Sequence, residues 1–230
     1  MKTSFEALEK TIGIIFKNRS LLENVFIHRS FLNEHKSFHL PSNEKLEFLG
    51  DSVLSLITSI YLYRNYSDLN EGMYTDIKAS IVRTESLAEA AKKIQLGNFI
   101  YLSKGEEQNQ GKTNKNILAD CFESLVAAIF IDKDFETAYD FVIRFLFEEK
   151  LDYIVKNSLY LSPKSRLQEI IQAKHRVLPT YVIKKEEGPE HKKEFTVAVY
   201  LDKQLLGEGA GLSKKEAEEN AAKNALEKID

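Results

Sequence analysis

The stretch NEKLEFLGDSVL, Asn43 to Leu54, runs on as an apolar segment to Tyr63, and the rest of the chain is read from it. It carries Glu44, Glu47 and Asp51 at spacings of three and four. On a helix that turns about 100° per residue, this spacing gathers the three carboxylates into an arc of roughly 60°. Leu46, Leu49, Val53, Leu56, Ile57 and Ile60 fall on the other side. The pattern predicts a helix with a buried back and an acid front. Like charges on adjacent turns disfavour a helix by roughly a few tenths of a kcal/mol per pair. A cation seated among the acids removes that repulsion. A solvated acidic face is the ordinary alternative, and this stretch alone does not choose between them.

Composition sets the outer bounds. The chain has 230 residues, 43% hydrophobic and 29% charged, which is ordinary for a globular protein of one or two domains. The single cysteine, Cys121, rules out an intrachain disulfide and a cysteine-rich zinc site, and reads as a small buried hydrophobe. No apolar run reaches the roughly 18 residues of a membrane span, and MKTSFEALEK has no apolar signal core. A cytoplasmic location and no membrane partner are therefore expected. The net charge of −3 does not advertise nucleic acid, so any such binding must come from local clusters.

Helical periodicity covers the chain up to about residue 156. Phe5–Ile15 and Ser20–Ser30 read as short helices, the second with Ser20 and Glu23 as a capping box. His28, Arg29 and Ser30 close it, and a lone histidine there reads as a structural hydrogen-bonder. Ser42 or Asn43 is the expected cap of the acidic helix. Met73–Leu96 reads as two helices meeting near Arg83–Ser86, with Gly97 as a stop. Residues 103–116 read as a polar surface loop. Ile117–Ile131 is a second long apolar helix, carrying Asp120 and Glu123 on one face with open space beyond them at Ala127. Phe135–Tyr153 reads as a last amphipathic helix. The first domain, 1–156, is thus expected to be all-α, with a linker at 157–161.

The pattern changes at Ser162–Pro163, a helix start with proline at the first position. That helix is expected to run to about Lys174. Strand-like runs follow at Thr180–Lys185, Glu194–Leu201 and Gln204–Gly209, and an alanine-rich helix at Ser213–Ile229. The domain 162–230 is therefore expected to be α+β, in the order α-β-β-β-α. It holds 13 Lys and Arg against 12 Asp and Glu, so its basic character is local: Lys192–Lys193 and Lys214–Lys215.

These residues carry a family resemblance. EKLEFLGDS (44–52), EGMYTDIKASIVRTESLAEAA (71–91), SKGEE (103–107) and ILADCFESLVAAIFID (117–132) resemble the endonuclease domain of ribonuclease III. SPKSRLQE (162–169), GPEH (188–191) and LSKKEAEENAA (212–222) are similar to a double-stranded-RNA-binding domain. The blocks lie in register over nearly the whole chain, which leaves the solvated-face alternative little room. Lys78 stands where arginine is common, and Ser124 and Ala127–Ala128 depart around the second acid pair, but no charge is lost.

The resemblance implies specific roles. Glu47, Asp51, Asp120 and Glu123 would bind the metal, with Asp51 and Glu123 catalytic. Glu44 and Glu71 would be accessory acids near the cut. The cofactor would be Mg²⁺, with Mn²⁺ as a substitute, and no small-molecule organic cofactor is expected. Hydrolysis needs a deprotonated water and a stabilised leaving oxygen, which two hard cations about 4 Å apart can supply. Phe48, roughly 40° off the acid side, would enter a second subunit of a homodimer. Gln168, Glu169, Pro189, His191, Lys214 and Lys215 would contact duplex RNA by shape. The implied activity is cleavage of double-stranded RNA to 5′-phosphate and 3′-hydroxyl ends with short 3′ overhangs, on rRNA precursors and other structured transcripts. A duplex-binding relative that does not cut is the competing reading.

Overall fold

A computed structural model of the chain describes residues 4–189 and 193–229, with the side chain of residue 149 set aside. The chain forms two compact units, Met1–Lys156 and Asn157–Asp230.

The first unit is helical. Ser4 caps α1 (Phe5–Ile12) by accepting the Glu6 N–H, and Gly13 ends it in the left-handed conformation. Asn18, not Ser20, caps α2 (Arg19–Asn24), because its side chain accepts the Leu21 N–H. The expected helix through Ser30 breaks at Val25–Ile27. His28 instead caps a separate helix, α3 (Arg29–Glu34), so His28, Arg29 and Ser30 start an element rather than end one. Two buried acids pin this end of the chain. Glu9 accepts the Phe16 N–H at 2.7 Å and pairs with Arg19. Asp132 accepts the N–H groups of Lys17 and Asn18 at 2.9 and 2.8 Å.

The acidic helix is α4 (Glu44–Asn65), preceded by Asn43. Asn43 does not cap it with its side chain, which instead donates to the Val25 carbonyl at 3.1 Å. By length and composition α4 could pass for a membrane span, which the apolar runs of the sequence do not suggest. Short serine and threonine breaks hide that length. Here Leu46, Val53, Leu54, Ile57 and Leu62 are buried in the unit's core. Asn70 caps α5 (Glu71–Ile81), and α6 (Thr84–Lys93) follows. Gly97 is not the stop of that helix. It lies in a 3-10 turn where an added Cβ would sit 2.2 Å from the Lys112 carbonyl oxygen. The 103–116 segment holds a short helix, α7 (Lys104–Gln108), and a 3-10 turn at Gly111–Thr113.

The central helix is α8 (Lys115–Asp132), capped by Asn114. Its neighbours are α4 and α6. Ala127 is fully buried, so the space expected beside the acids is filled. The expected last helix is divided into α9 (Phe135–Val142), a π-turn (Ile143–Phe147) and α10 (Glu148–Lys156). The extra residue of the π-turn lets Leu146 and Phe147 both enter the core, where Phe147 meets Tyr61 edge-on at 5.0 Å.

In the second unit, Ser162 caps α11 (Pro163–His175) by accepting the Ser165 N–H. Strands β1 (Thr180–Glu187), β2 (Glu194–Leu201) and β3 (Gln204–Gly211) form an antiparallel sheet in sequence order. The β2–β3 hairpin closes through Asp202–Lys203, with Asp202 at φ 52°. α12 (Lys214–Ile229) lays Ala217, Ala221 and Ala225 flat on β3. That contact needs glycine in the strand, since a Cβ on Gly209 would lie 2.2 Å from the Ala221 nitrogen.

Candidate functional site

The site is built where α4 crosses α8. A Cβ on Gly50 would lie 1.9 Å from the Glu123 carbonyl oxygen, so the two backbones touch there. This approach sets the acids of both helices against one another. One carboxylate oxygen each from Glu47, Asp120 and Glu123 lies within 4.8 Å of the other two. Asp51, one residue past Gly50, is exposed and stands outside this trio, but its charge reaches Glu123.

The electrostatics follow from that crowding. Burial first, then the charges of Asp51, Asp120 and Glu47, push the Glu123 carboxyl up to about 8. Burial, Asp120 and Glu44 raise Glu47, against Arg29. Burial also raises Asp120, while His28 and Arg29 oppose it. Hard oxygen donors converging on one point, with like-charge repulsion unrelieved, suit a hard divalent cation.

A cleft of about 310 Å³ opens beside the acids, lined by His28, Arg29, Asn43, Glu44, Glu47 and Asp120. Glu44 sits in the first turn of α4. It accepts a hydrogen bond from Ser42 Oγ at 2.6 Å and lies 3.9 Å from Arg29. His28 is half-buried. Burial holds its imidazole below the usual range, helped by Arg29 and opposed by Glu106, Asp120 and Glu44. Glu71 is not part of this cleft. It opens α5 and lines a separate hollow with Ser59, Leu62, Tyr74, Thr75 and Lys78.

Phe48 is 79% exposed, and Leu56 (53%) and Tyr63 (77%) share its side of α4. Leu56, a core position in the sequence pattern, is exposed instead. In the second unit Gln168 and Glu169 are exposed on α11, Pro189 is exposed after β1, and Lys214 and Lys215 are exposed in the first turn of α12. His191 lies outside the described residues.

Reading the sequence by charge alone misses Gly50, His28 and Arg29. A lone glycine inside a long apolar helix was the available signal for Gly50, since it marks a close approach. His28 and Arg29 gave none, because the turn that aims them is held by distant residues.

The ribonuclease-III-like family model matches residues 18–150, and the double-stranded RNA binding motif matches 163–229. A protein named Ribonuclease 3 from Chloroflexus aurantiacus is 42% identical over 228 residues, 98% of this chain and 92% of that one. One of the same name from Clostridium beijerinckii is 43% identical over 227 residues, 99% and 97% of the two chains. The solved nuclease domain of ribonuclease III from Campylobacter jejuni, studied for flexibility in a region involved in dimer formation, is 36% identical with a TM-score of 0.58. That match covers 64% of this chain and 97% of the other.

Proposed function

The chain belongs to the ribonuclease III family, and from that premise we propose how its residues divide the work of cutting double-stranded RNA. The coarse activity, a double-stranded-RNA endoribonuclease with an RNA-binding motif, follows from the family and the two matched regions. The observation that carries the finer reading is the convergence of Glu47, Asp120 and Glu123 across the α4–α8 crossing.

Glu47, Asp120 and Glu123 would hold a divalent cation, with Asp51 beside Glu123 as the fourth acid. Bound there, Mg²⁺ or Mn²⁺ would supply an acidified water and neutralise charge at the phosphate. Glu123, ionised once the cation is bound, and Asp51 beside it would be the catalytic acids, taking up the proton that this water gives away. The buried backs of α4 and α8 hold the acids in fixed relation, so little reorganisation accompanies the reaction. Glu44, at the cleft mouth, would orient the strand, and Glu71 would act from its own hollow. The exposed α4 side at Phe48 would join two copies, each cutting one strand. The ends would be 5′-phosphate and 3′-hydroxyl with short 3′ overhangs. Gln168, Glu169, Pro189, His191, Lys214 and Lys215 would read duplex shape, and rRNA precursors in the cytoplasm would be substrates.

The test is incubation of long duplex RNA with Mg²⁺, with Mn²⁺ and with chelator, followed by end mapping. The expected result is metal-dependent cutting to 5′-phosphate ends with 3′ overhangs. Duplex bound but left intact with either metal would sink the catalytic reading and leave a binding protein.

A further inference from the structure

His28 is held in an unusual way for a residue beside an acid cluster. Its backbone N–H donates to the Tyr101 carbonyl at 3.2 Å. Its Nδ1 accepts the Ser30 N–H at 3.3 Å and lies 2.8 Å from Ser30 Oγ. Ser30 Oγ in turn accepts the Ser103 N–H at 3.1 Å, which leaves its own hydrogen for Nδ1. The Ser30 N–H makes Nδ1 an acceptor, which assigns the imidazole proton to Nε2. The ring is thereby fixed in orientation and in tautomer, with its one donor on the side away from α3.

That ring lines the acid cleft. Glu44, Glu47 and Asp120 can only accept when ionised, and Asn43 is buried, with its amide turned to the Val25 carbonyl. Among the described lining side chains, the donors open to the cleft are His28 Nε2 and the Arg29 guanidinium. Arg29 is 74% exposed and 3.9 Å from Glu44, so it is a solvated charge at the rim. His28 is the rigid donor. A phosphodiester is an anion with acceptor oxygens only, and an acid cleft repels it. Cations offset the charge, but they do not fix the strand's register on the opposite wall.

We infer that His28 is a substrate-contact residue, presenting its Nε2–H to a phosphate oxygen of the RNA strand lying in the cleft. The inference rests on the ribonuclease reading above. It separates the two nitrogens of one side chain into different jobs: Nδ1 caps α3, and Nε2 holds RNA.

Two substitutions separate those jobs. His28→Asn keeps a good helix cap but has no group at the Nε2 position. His28→Gln reaches the Nε2 position with an N–H but forfeits the cap. A hydrogen bond to a charged group is worth enough that its loss lowers kcat/KM roughly ten- to a hundredfold. The expected result is that the Asn variant melts like wild type and loses that factor in cleaving duplex RNA with Mg²⁺. The Gln variant melts lower yet cuts within a few-fold of wild type. An Asn variant that cuts as well as wild type overturns the inference. So does loss of cutting in both variants in proportion to lost stability, which would assign His28 to the cap alone. A wild-type chain that leaves duplex RNA intact removes the ribonuclease reading and this inference together.

Discussion

Glu123 sits where a negative charge is least favoured, and its behaviour with pH should reveal it. Burial and three neighbouring acids raise its carboxyl from an ordinary 4.5 to about 8. Between those values the folded chain keeps a proton that the unfolded chain releases. Stability of the metal-free protein therefore falls as pH rises from about 4.5 to about 8. Glu47 and Asp120 shift the same way, so they add to the trend. Glu123→Gln removes the titrating group and keeps its shape. In chelator at pH 8 the variant should be more stable than wild type, by on the order of 1–2 kcal/mol after allowance for solvent screening. The gain should vanish near pH 5, as thermal unfolding across that range would reveal. The same substitution should abolish cutting of duplex RNA while the duplex is still bound. A gain that is flat in pH, or cutting that survives, would show that Glu123 is not in the acid cluster's charge balance.

At the scale of elements, α4 shows what its sequence reveals and conceals. The helix and its three acids are legible because spacing alone places them on one arc. The direction of burial is not. Leu54, Thr58 and Leu62 are buried on the side where Glu47 and Asp51 stand, so the acids project toward α8 rather than away from the core. Leu56 reads as core and is exposed, because periodicity does not say which apolar side of a helix the fold covers. The capped starts at Asn70, Asn114 and Ser162 depend on neighbours two or three residues away, which a linear pattern can show. The start of α3 depends on Tyr101 and Ser103, more than seventy residues on, which it cannot. Gly50 joins the two levels, since it is a local weakness in a helix that only the crossing with α8 explains. Gly50→Ala places a methyl 1.9 Å from the Glu123 carbonyl oxygen, against backbone that cannot swing aside. Overpacking of this kind costs about 1–3 kcal/mol, and the helix preference for alanine returns at most about 1. The variant should therefore melt lower, and its cutting rate should fall further than its folded fraction, because the two acid pairs move apart. Melting and single-turnover cleavage measured together test this. An Ala variant as stable and active as wild type would mean the helices do not cross at Gly50.

For the whole molecule, the acid trio of Glu47, Asp120 and Glu123 lies within a single chain, while the exposed side of α4 is the surface proposed above to join two copies. Phe48, Leu56 and Tyr63 occupy about 80° of the α4 surface, with Ser52 and Ser59 between them. Small residues between large ones let a copy of the same helix approach closely, which suits a two-fold contact. An aromatic at the centre of such a contact typically contributes about 2–4 kcal/mol, or roughly thirty- to a thousandfold in dimer affinity. Phe48→Ala should weaken the dimer by that order in sedimentation. Phe48 neighbours the acids, so a second site is needed to keep charge effects apart. Tyr63→Glu lies about 22 Å further along the helix and should also break the dimer. Both variants should keep the stabilisation by Mg²⁺ at pH 8, because the acid trio needs no partner. Cutting of both strands in one encounter should fall, since each monomer brings one acid cluster to the duplex. A dimer unchanged in both variants would move the interface off α4. Loss of the Mg²⁺ effect along with the dimer would instead mean that a metal-binding residue comes from the second copy.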